Sequence, residues 1–138
     1  MKTTLKSGLA AKRAFSVERD STIGFMGEDA RVYATPMLVR DIEITCRDLL
    51  AAHLDGGEDS VGTKVEIEHL APTLEGMNVT IDAKLAELNG RAAVFEISAS
   101  DGVDQICRGR HARFIVAVEQ TRKRLAAKRG KLAGTAAA

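Results

Sequence analysis

The sequence predicts an α+β domain in which an antiparallel β-sheet wraps around one long central helix. Three observations lead there. A single amphipathic helical period runs from Pro36 to about Leu54 and stops at Asp55-Gly56-Gly57. From Val61 the apolar repeat changes from the helical period to alternation, and alternation persists over most of the remaining chain. The strings Asn89-Gly90 and Asp101-Gly102 then cut that stretch into strands joined by tight turns, and strands so joined run antiparallel.

Taken in order, residues 1–10 form a short polar lead, and Ala11 to Glu18 alternates like a strand. Gly24 and Gly27 mark the stretch from Ile23 to Ala30 as loop. Pro36 suits a first helical turn, where its missing amide hydrogen would be unpaired anyway. At the helical angle, Leu38, Leu49, Ile42, His53, Cys46, Val39 and Leu50 fall within an arc of about 120°, with Arg40, Asp41, Arg47 and Asp48 opposite. The following strand alternates Val61, Thr63, Val65 and Ile67 with Lys64, Glu66 and Glu68. After a turn at Pro72–Gly76 come Met77, Val79, Ile81, Ala83 and Leu85. Ala93, Phe95, Ile97 and Ala99 continue the pattern, and Val103 to Val118 forms a last long strand. Glu119 to about Arg129 reads as a basic helix. Residues 1–130 are thus expected to form a single domain, with 131–138 a disordered tail of small residues. A helix against an antiparallel sheet makes two layers, and a sheet curled around a single helix is the hotdog arrangement.

Composition narrows the function classes. The 138 residues are 45% hydrophobic and 28% charged but only 4% aromatic, so the core rests on aliphatic side chains and further burial in a dimer is expected. A net charge of +1 gives no global field for nucleic acid. Arg122, Lys123, Arg124, Lys128, Arg129 and Lys131 nevertheless crowd the C-terminal helix. They suit the phosphates of a ligand or simple solvation. Cys46 and Cys107 are too few for a disulfide framework and read as free thiols in a reducing, cytoplasmic compartment. No apolar run is long enough to predict a membrane span or a signal peptide.

The candidate site residues follow from position. Glu43 lies about 20° beyond Leu50, on the rim of the helix's apolar arc, where a carboxylate can be partly desolvated and act as a base or simply snorkel. His69 continues the inward row of its strand and lies near Pro72, where a cleft can open; a buried histidine bonded to a carbonyl is the plain alternative. Thr35 is suited to cap the helix that carries Glu43. Gly62 permits close approach of a ligand or marks a bulge. His111 and Arg113 share a face of the last strand, and His53 sits within the helix arc as a core or interface residue. No G-x-S-x-G elbow, phosphate-binding loop, dinucleotide fingerprint or metal-ligand constellation occurs.

Ala34-Thr35, Glu43, Ser60-Val61-Gly62-Thr63, His69, Ser100-Asp101-Gly102-Val103-Asp104-Gln105-Ile106 and His111-x-Arg113 together resemble the fluoroacetyl-CoA thioesterase family, from about Val32 to Val118. The resemblance implies a hotdog fold and an acyl-CoA substrate. It also implies a homodimer, or a dimer of dimers, with the active site at the subunit interface. Thr35, Glu43 and His69 would form the catalytic set, and Gly62 and Arg113 would line the acyl end. Neither metal nor redox cofactor is implied. The segment Met26-Gly27-Glu28-Asp29-Ala30-Arg31-Val32-Tyr33 departs from the family pattern, which carries phenylalanines there as a gate, so the acyl group stays open. A hydratase acting on acyl-CoA would need an Asp and a His before the helix, which Tyr33-Ala34-Thr35-Pro36-Met37 does not supply. A non-catalytic acyl-CoA sensor is the alternative from another class.

Overall fold

The computed structural model describes residues 1–137. Its elements are β1 (Ala10–Ser16), β2 (Thr22–Ile23), β3 (Val32–Tyr33), α1 (Thr35–Ala51), β4 (Glu58–His69), β5 (Asn78–Asn89), β6 (Ala92–Ser100), β7 (Gln105–Ala117) and α2 (Val118–Ala137). The main sheet has the order β1-β5-β6-β7-β4, and every neighbouring pair is antiparallel. With α1 packed on its inner face, this is the hotdog arrangement. The short β2–β3 pair is a second sheet that brackets the stretch expected to be loop, sharing only Ile23 with it.

The helix begins because Ala34 is still extended, at ψ 136°, while Pro36 fits the first turn. It ends in backbone bonding at Ala52, followed by Gly57 with φ 82°. Leu38, Ile42, Cys46 and Leu50 are buried against Val79, Ile81, Leu85, Phe95 and Ile97 from the sheet. Each large aliphatic side chain so buried contributes roughly 1.5–3 kcal/mol. Asp41, expected on the solvated side, is buried instead, because the Tyr33 hydroxyl reaches it.

The edge strand β4 needs a second correction. A bulge lies between Gly62 and Lys64, so the row Val61, Thr63, Val65 and Ile67 does not share one face. Before the bulge, Ser60 and Gly62 stand opposite Ile115 and Arg113; after it, Val65, Ile67 and His69 stand opposite His111, Gly109 and Cys107. Val61 consequently turns outward beside Phe114, and both are exposed. His69 keeps the inward orientation that alternation assigned to it.

Two further differences concern the chain's course. β4 and β5 follow each other in sequence but lie apart in the sheet, separated by β6 and β7. The C-terminal helix passes Arg129 and continues to Ala137, where a disordered tail was expected. Alanines favour helix enough to carry it through Gly130 and Gly134. Its side chains are largely exposed, and no helix among the described residues is long and apolar enough to cross a membrane.

At Gly109 the backbone of β4 leaves no room for a side chain on β7. A Cβ there would lie 2.1 Å from the Glu66 carbonyl oxygen and 2.7 Å from Ile67 Cα, both backbone atoms that cannot swing aside. Gly109→Ala is therefore expected to destabilise the fold by about 1–3 kcal/mol, lowering the melting temperature by several degrees. An unchanged melting temperature would show that the two strands part at no cost.

Candidate active site

Two polar clusters interrupt the apolar inner face of the sheet. The first gathers Glu43 from α1, Ser60 and Gly62 from β4, and His111 and Arg113 from β7. Arg113 is only 5% exposed. Its Nε donates to Ser60 Oγ at 2.8 Å and its Nη2 to the Ser60 carbonyl at 2.7 Å. Nη1 lies 3.2 Å from His111 Nε2 and 3.7 Å from Glu43 Oε1. Burial, acting first, pulls the Arg113 pKa down, and the nearby Glu43 charge opposes it. Glu43 is at the rim, as its helical angle requires, with 42% of its side chain open. Gly62 makes room for it: a Cβ there would stand 2.2 Å from Glu43 Oε1.

The second cluster is built around His69. Its Nδ1 shares a hydrogen bond with Thr35 Oγ1 at 2.8 Å, and its Nε2 is buried without a hydrogen-bond partner among the described residues. Thr35 therefore does not cap α1, since Ala34 holds the cap position and makes no side-chain cap bond. The Tyr33 ring meets the imidazole edge-on, with centroids 6.4 Å apart, and its hydroxyl donates to Asp41. Arg40 Nη2 donates to the other Asp41 oxygen at 3.1 Å. Thr35 and His69 open into an apolar cleft of about 590 Å³ whose walls include Ile23, Phe25, Val32 and Pro36. A cleft of this size accommodates an extended small ligand.

The two clusters are separate within one chain. Seven residues of extended strand, roughly 23 Å, divide Gly62 from His69, and α1 rises about 12 Å between Thr35 and Glu43. The structure thus joins Thr35 to His69, and Glu43 to Gly62 and Arg113, without bringing Glu43 to His69. His53 belongs to neither group; its Nδ1 pairs with Thr4 Oγ1 at 2.7 Å. The cysteines also stand apart from the chemistry. Burial pushes the Cys46 thiol up to about 12 and the Cys107 thiol to about 11, so neither is a thiolate nucleophile.

The Asp101-Gly102-Val103-Asp104 string is a structural device. Asp101 Oδ1 accepts from the Val103 and Asp104 amides at 3.0 and 2.8 Å, and Oδ2 accepts from Thr73 Oγ1 at 3.0 Å. Burial alone would raise the Asp101 carboxyl, but these bonds outweigh it and hold it below its ordinary range. The turn between β6 and β7 is thereby tied to the β4–β5 crossover, whose Ala71 and Pro72 help to wall the cleft.

Sequence reasoning missed Ser60, Tyr33 and Asp41. Ser60 stands opposite Ile115 and so diagonal to Arg113, a pairing that shows only once strand register is known, whereas Asp41 carries no signal on its own helix.

Comparison with known proteins supplies the kinship. Residues 17–119 match the family described as fluoroacetyl-CoA-specific thioesterase. A fluoroacetyl-CoA thioesterase from Streptantibioticus cattleyicolor is 38% identical over 93 residues, 67% of either chain. The crystal structure of a phenylalanine-to-alanine mutant of the fluoroacetyl-CoA-specific thioesterase superposes with a TM-score of 0.84 at 30% identity, covering 92% of this chain and 99% of that one. A hot-dog-like protein from Thermanaerovibrio acidaminovorans shares the fold, with a TM-score of 0.81 at 21% identity over 88% of this chain and 91% of that one.

The buried imidazoles set an acid limit on stability. Desolvation is the leading cause that lowers the pKa of both His69 and His111, so the folded state resists their protonation. An unfolded imidazole takes its proton near pH 6.5, so just below that pH the unfolded chain binds more protons and stability declines as pH falls. Glu28 and Glu58, held at about 2, stay ionised across this window. The melting temperature is expected to drop between about pH 7 and pH 5.5. A flat or rising profile would contradict the burial of neutral histidines.

Proposed function

The chain belongs to the fluoroacetyl-CoA-specific thioesterase family, and from that premise we propose that it hydrolyses a short-chain acyl-coenzyme A to the free acid and coenzyme A. The observation that carries this reading is the Glu43 carboxylate standing over Gly62, beside Arg113 and half open to the solvent side. As nucleophile, Glu43 would attack the thioester carbonyl; as base, it would take a proton from the attacking water. Either role needs an accessible carboxylate oxygen, and the missing side chain at Gly62 leaves that access open. Thr35 and His69 complete the set, the buried Nε2 of His69 being free to bond the attacking water or the carbonyl oxygen. Arg113 has its Nε and Nη2 bonded to Ser60 and its Nη1 directed at His111 and Glu43. In this proposal it therefore acts at the acyl end mainly through Glu43.

A homodimer brings the halves together. Among the described residues β4 is an edge strand, paired only with β7. Antiparallel pairing of two β4 edges about Glu66 would set His69 of one protomer opposite the Gly62 bulge of its partner. Lys64 would then face Glu68 across the new pair, a favourable opposition of charge. Thr35 and His69 of one subunit would meet Glu43, Gly62 and Arg113 of the other, giving two equivalent sites. The buried free thiols Cys46 and Cys107 accord with work in the cytoplasm.

Release of coenzyme A from acetyl-, fluoroacetyl-, propionyl- and butyryl-CoA tests the assignment. Glu43→Ala is expected to lose turnover by about a hundredfold or more on every substrate the wild type accepts. Mixing inactive Glu43→Ala with inactive His69→Ala should restore roughly a quarter of wild-type activity, because half the dimers are mixed and each holds one intact site. Retained activity in Glu43→Ala would refute the mechanism, and failure of the mixture to recover would refute the shared site. In a separate variant, Gly62→Ala should displace the Glu43 carboxylate. It is expected to lower turnover about tenfold or more and to cost about 1–2 kcal/mol of stability, since the flexible end of Glu43 must move aside and the His111 ring, 3.3 Å from the new Cβ, must give by a few tenths of an ångström. Full activity in that variant would mean that the carboxylate works elsewhere.

A further inference from the structure

We propose that His111 is a positioning residue for this hydrolysis, holding the Arg113 guanidinium in the orientation that faces Glu43. The inference rests on the reading that Glu43 acts on the thioester. His111 is fully buried, its Nδ1 lies 2.8 Å from the Lys64 carbonyl, and its Nε2 lies 3.2 Å from Arg113 Nη1. A carbonyl oxygen only accepts, so Nδ1 carries the proton. In the neutral ring Nε2 is then bare and accepts from Arg113.

The consequence is geometric. Ser60 engages Arg113 through Nε and Nη2, along one edge of the guanidinium. His111 engages Nη1 at the other end, so the planar group is fixed at three points. That same Nη1 is the atom nearest Glu43, at 3.7 Å, with His111 Nε2 itself 4.0 Å from the carboxylate. The Lys64 carbonyl that sets the tautomer belongs to the first residue after the β4 bulge. The bulge thus governs a proton position on β7, and through it the direction of a cation facing α1. Among the described residues, the charged and titratable groups facing the imidazole are Glu43 on α1 and Arg113 on β7, while β4 presents the Lys64 carbonyl and Gly62.

Two isosteric replacements separate the two bonds. His111→Asn places its amide near the Nδ1 position, keeping a donor for Lys64 but offering nothing to Arg113. His111→Gln extends an amide oxygen to the Nε2 position, keeping the acceptor for Arg113. For the preferred acyl-CoA, kcat is expected to fall about tenfold or more in His111→Asn with KM little changed, and to recover to within about threefold of wild type in His111→Gln. The Arg113 side-chain N–H resonances, read by nitrogen-15 NMR, should be protected in wild type and His111→Gln and exchange-broadened in His111→Asn. If His111→Asn fails to fold, the Gln variant decides: near-normal kcat with protected Arg113 signals supports the role, and a depressed kcat with those signals intact overturns it. Wild-type kcat in a folded His111→Asn, in an assay where Glu43→Ala is inactive, would overturn this inference alone. Undiminished turnover in Glu43→Ala would remove both the hydrolytic reading and this one.

Discussion

The concave face of this sheet is organised around one buried cation. A guanidinium inside a protein is costly by several kcal/mol unless its charge and donors are met, and Arg113 meets them with Ser60, His111 and Glu43. Each partner imposes its own condition. Ser60 has to face inward on β4, which gives that strand a polar inner position where an aliphatic residue would be ordinary. Glu43 has to reach down from α1, which leaves no space for a side chain at residue 62. His111 has to find an acceptor for its own proton, which the Lys64 carbonyl supplies. Serine, glycine, bulge and histidine are four responses to a single desolvated charge.

The other end of β4 is governed by a different constraint, the burial of Asp41. Its carboxylate is buried on α1 and is met by the Tyr33 hydroxyl and by Arg40. Burial, and after it the bond to Asp41, pushes the Tyr33 phenol well above its usual range, so it stays a neutral donor. The Tyr33 ring, fixed at both ends by Phe15 and Asp41, is the wall against which His69 rests. Arg113 beside Gly62 and Asp41, acting through Tyr33 on His69, therefore define polar patches towards the two ends of the edge strand β4.

Much of the fold was legible in the sequence, because burial on one side of each element imprints a period. The α1 arc, the inward rows of β5 and β6, and the turns at Gly90 and Gly102 followed from it, and Glu43 fell at the rim where its angle put it. What periodicity could not reveal were the places where it continues in the sequence but breaks in space. The row Val61, Thr63, Val65 and Ile67 looks regular in type, yet the bulge after Gly62 puts Val61 on the outer face. Asp41 looks solvated because its partner, Tyr33, lies outside the helix. Thr35 looks like a cap because capping is local, whereas its actual partner, His69, is 34 residues away. The placement of β4 beside β7 instead of β5 depends on long-range pairing that no short string encodes.

The Asp101 turn has a bearing on the wall of the cleft. The string Ser100 to Ile106 serves to fasten two loops through Thr73. The segment from Ile23 to Tyr33 supplies part of the cleft wall through Ile23, Phe25, Val32 and Tyr33. The fastening of the loops and the wall of the cleft are thus written in different stretches of the polypeptide. Changes between residues 23 and 33 can reshape the cleft wall while the fastening at Asp101 stays as it is, so one stretch forms the surface and the other holds it in place.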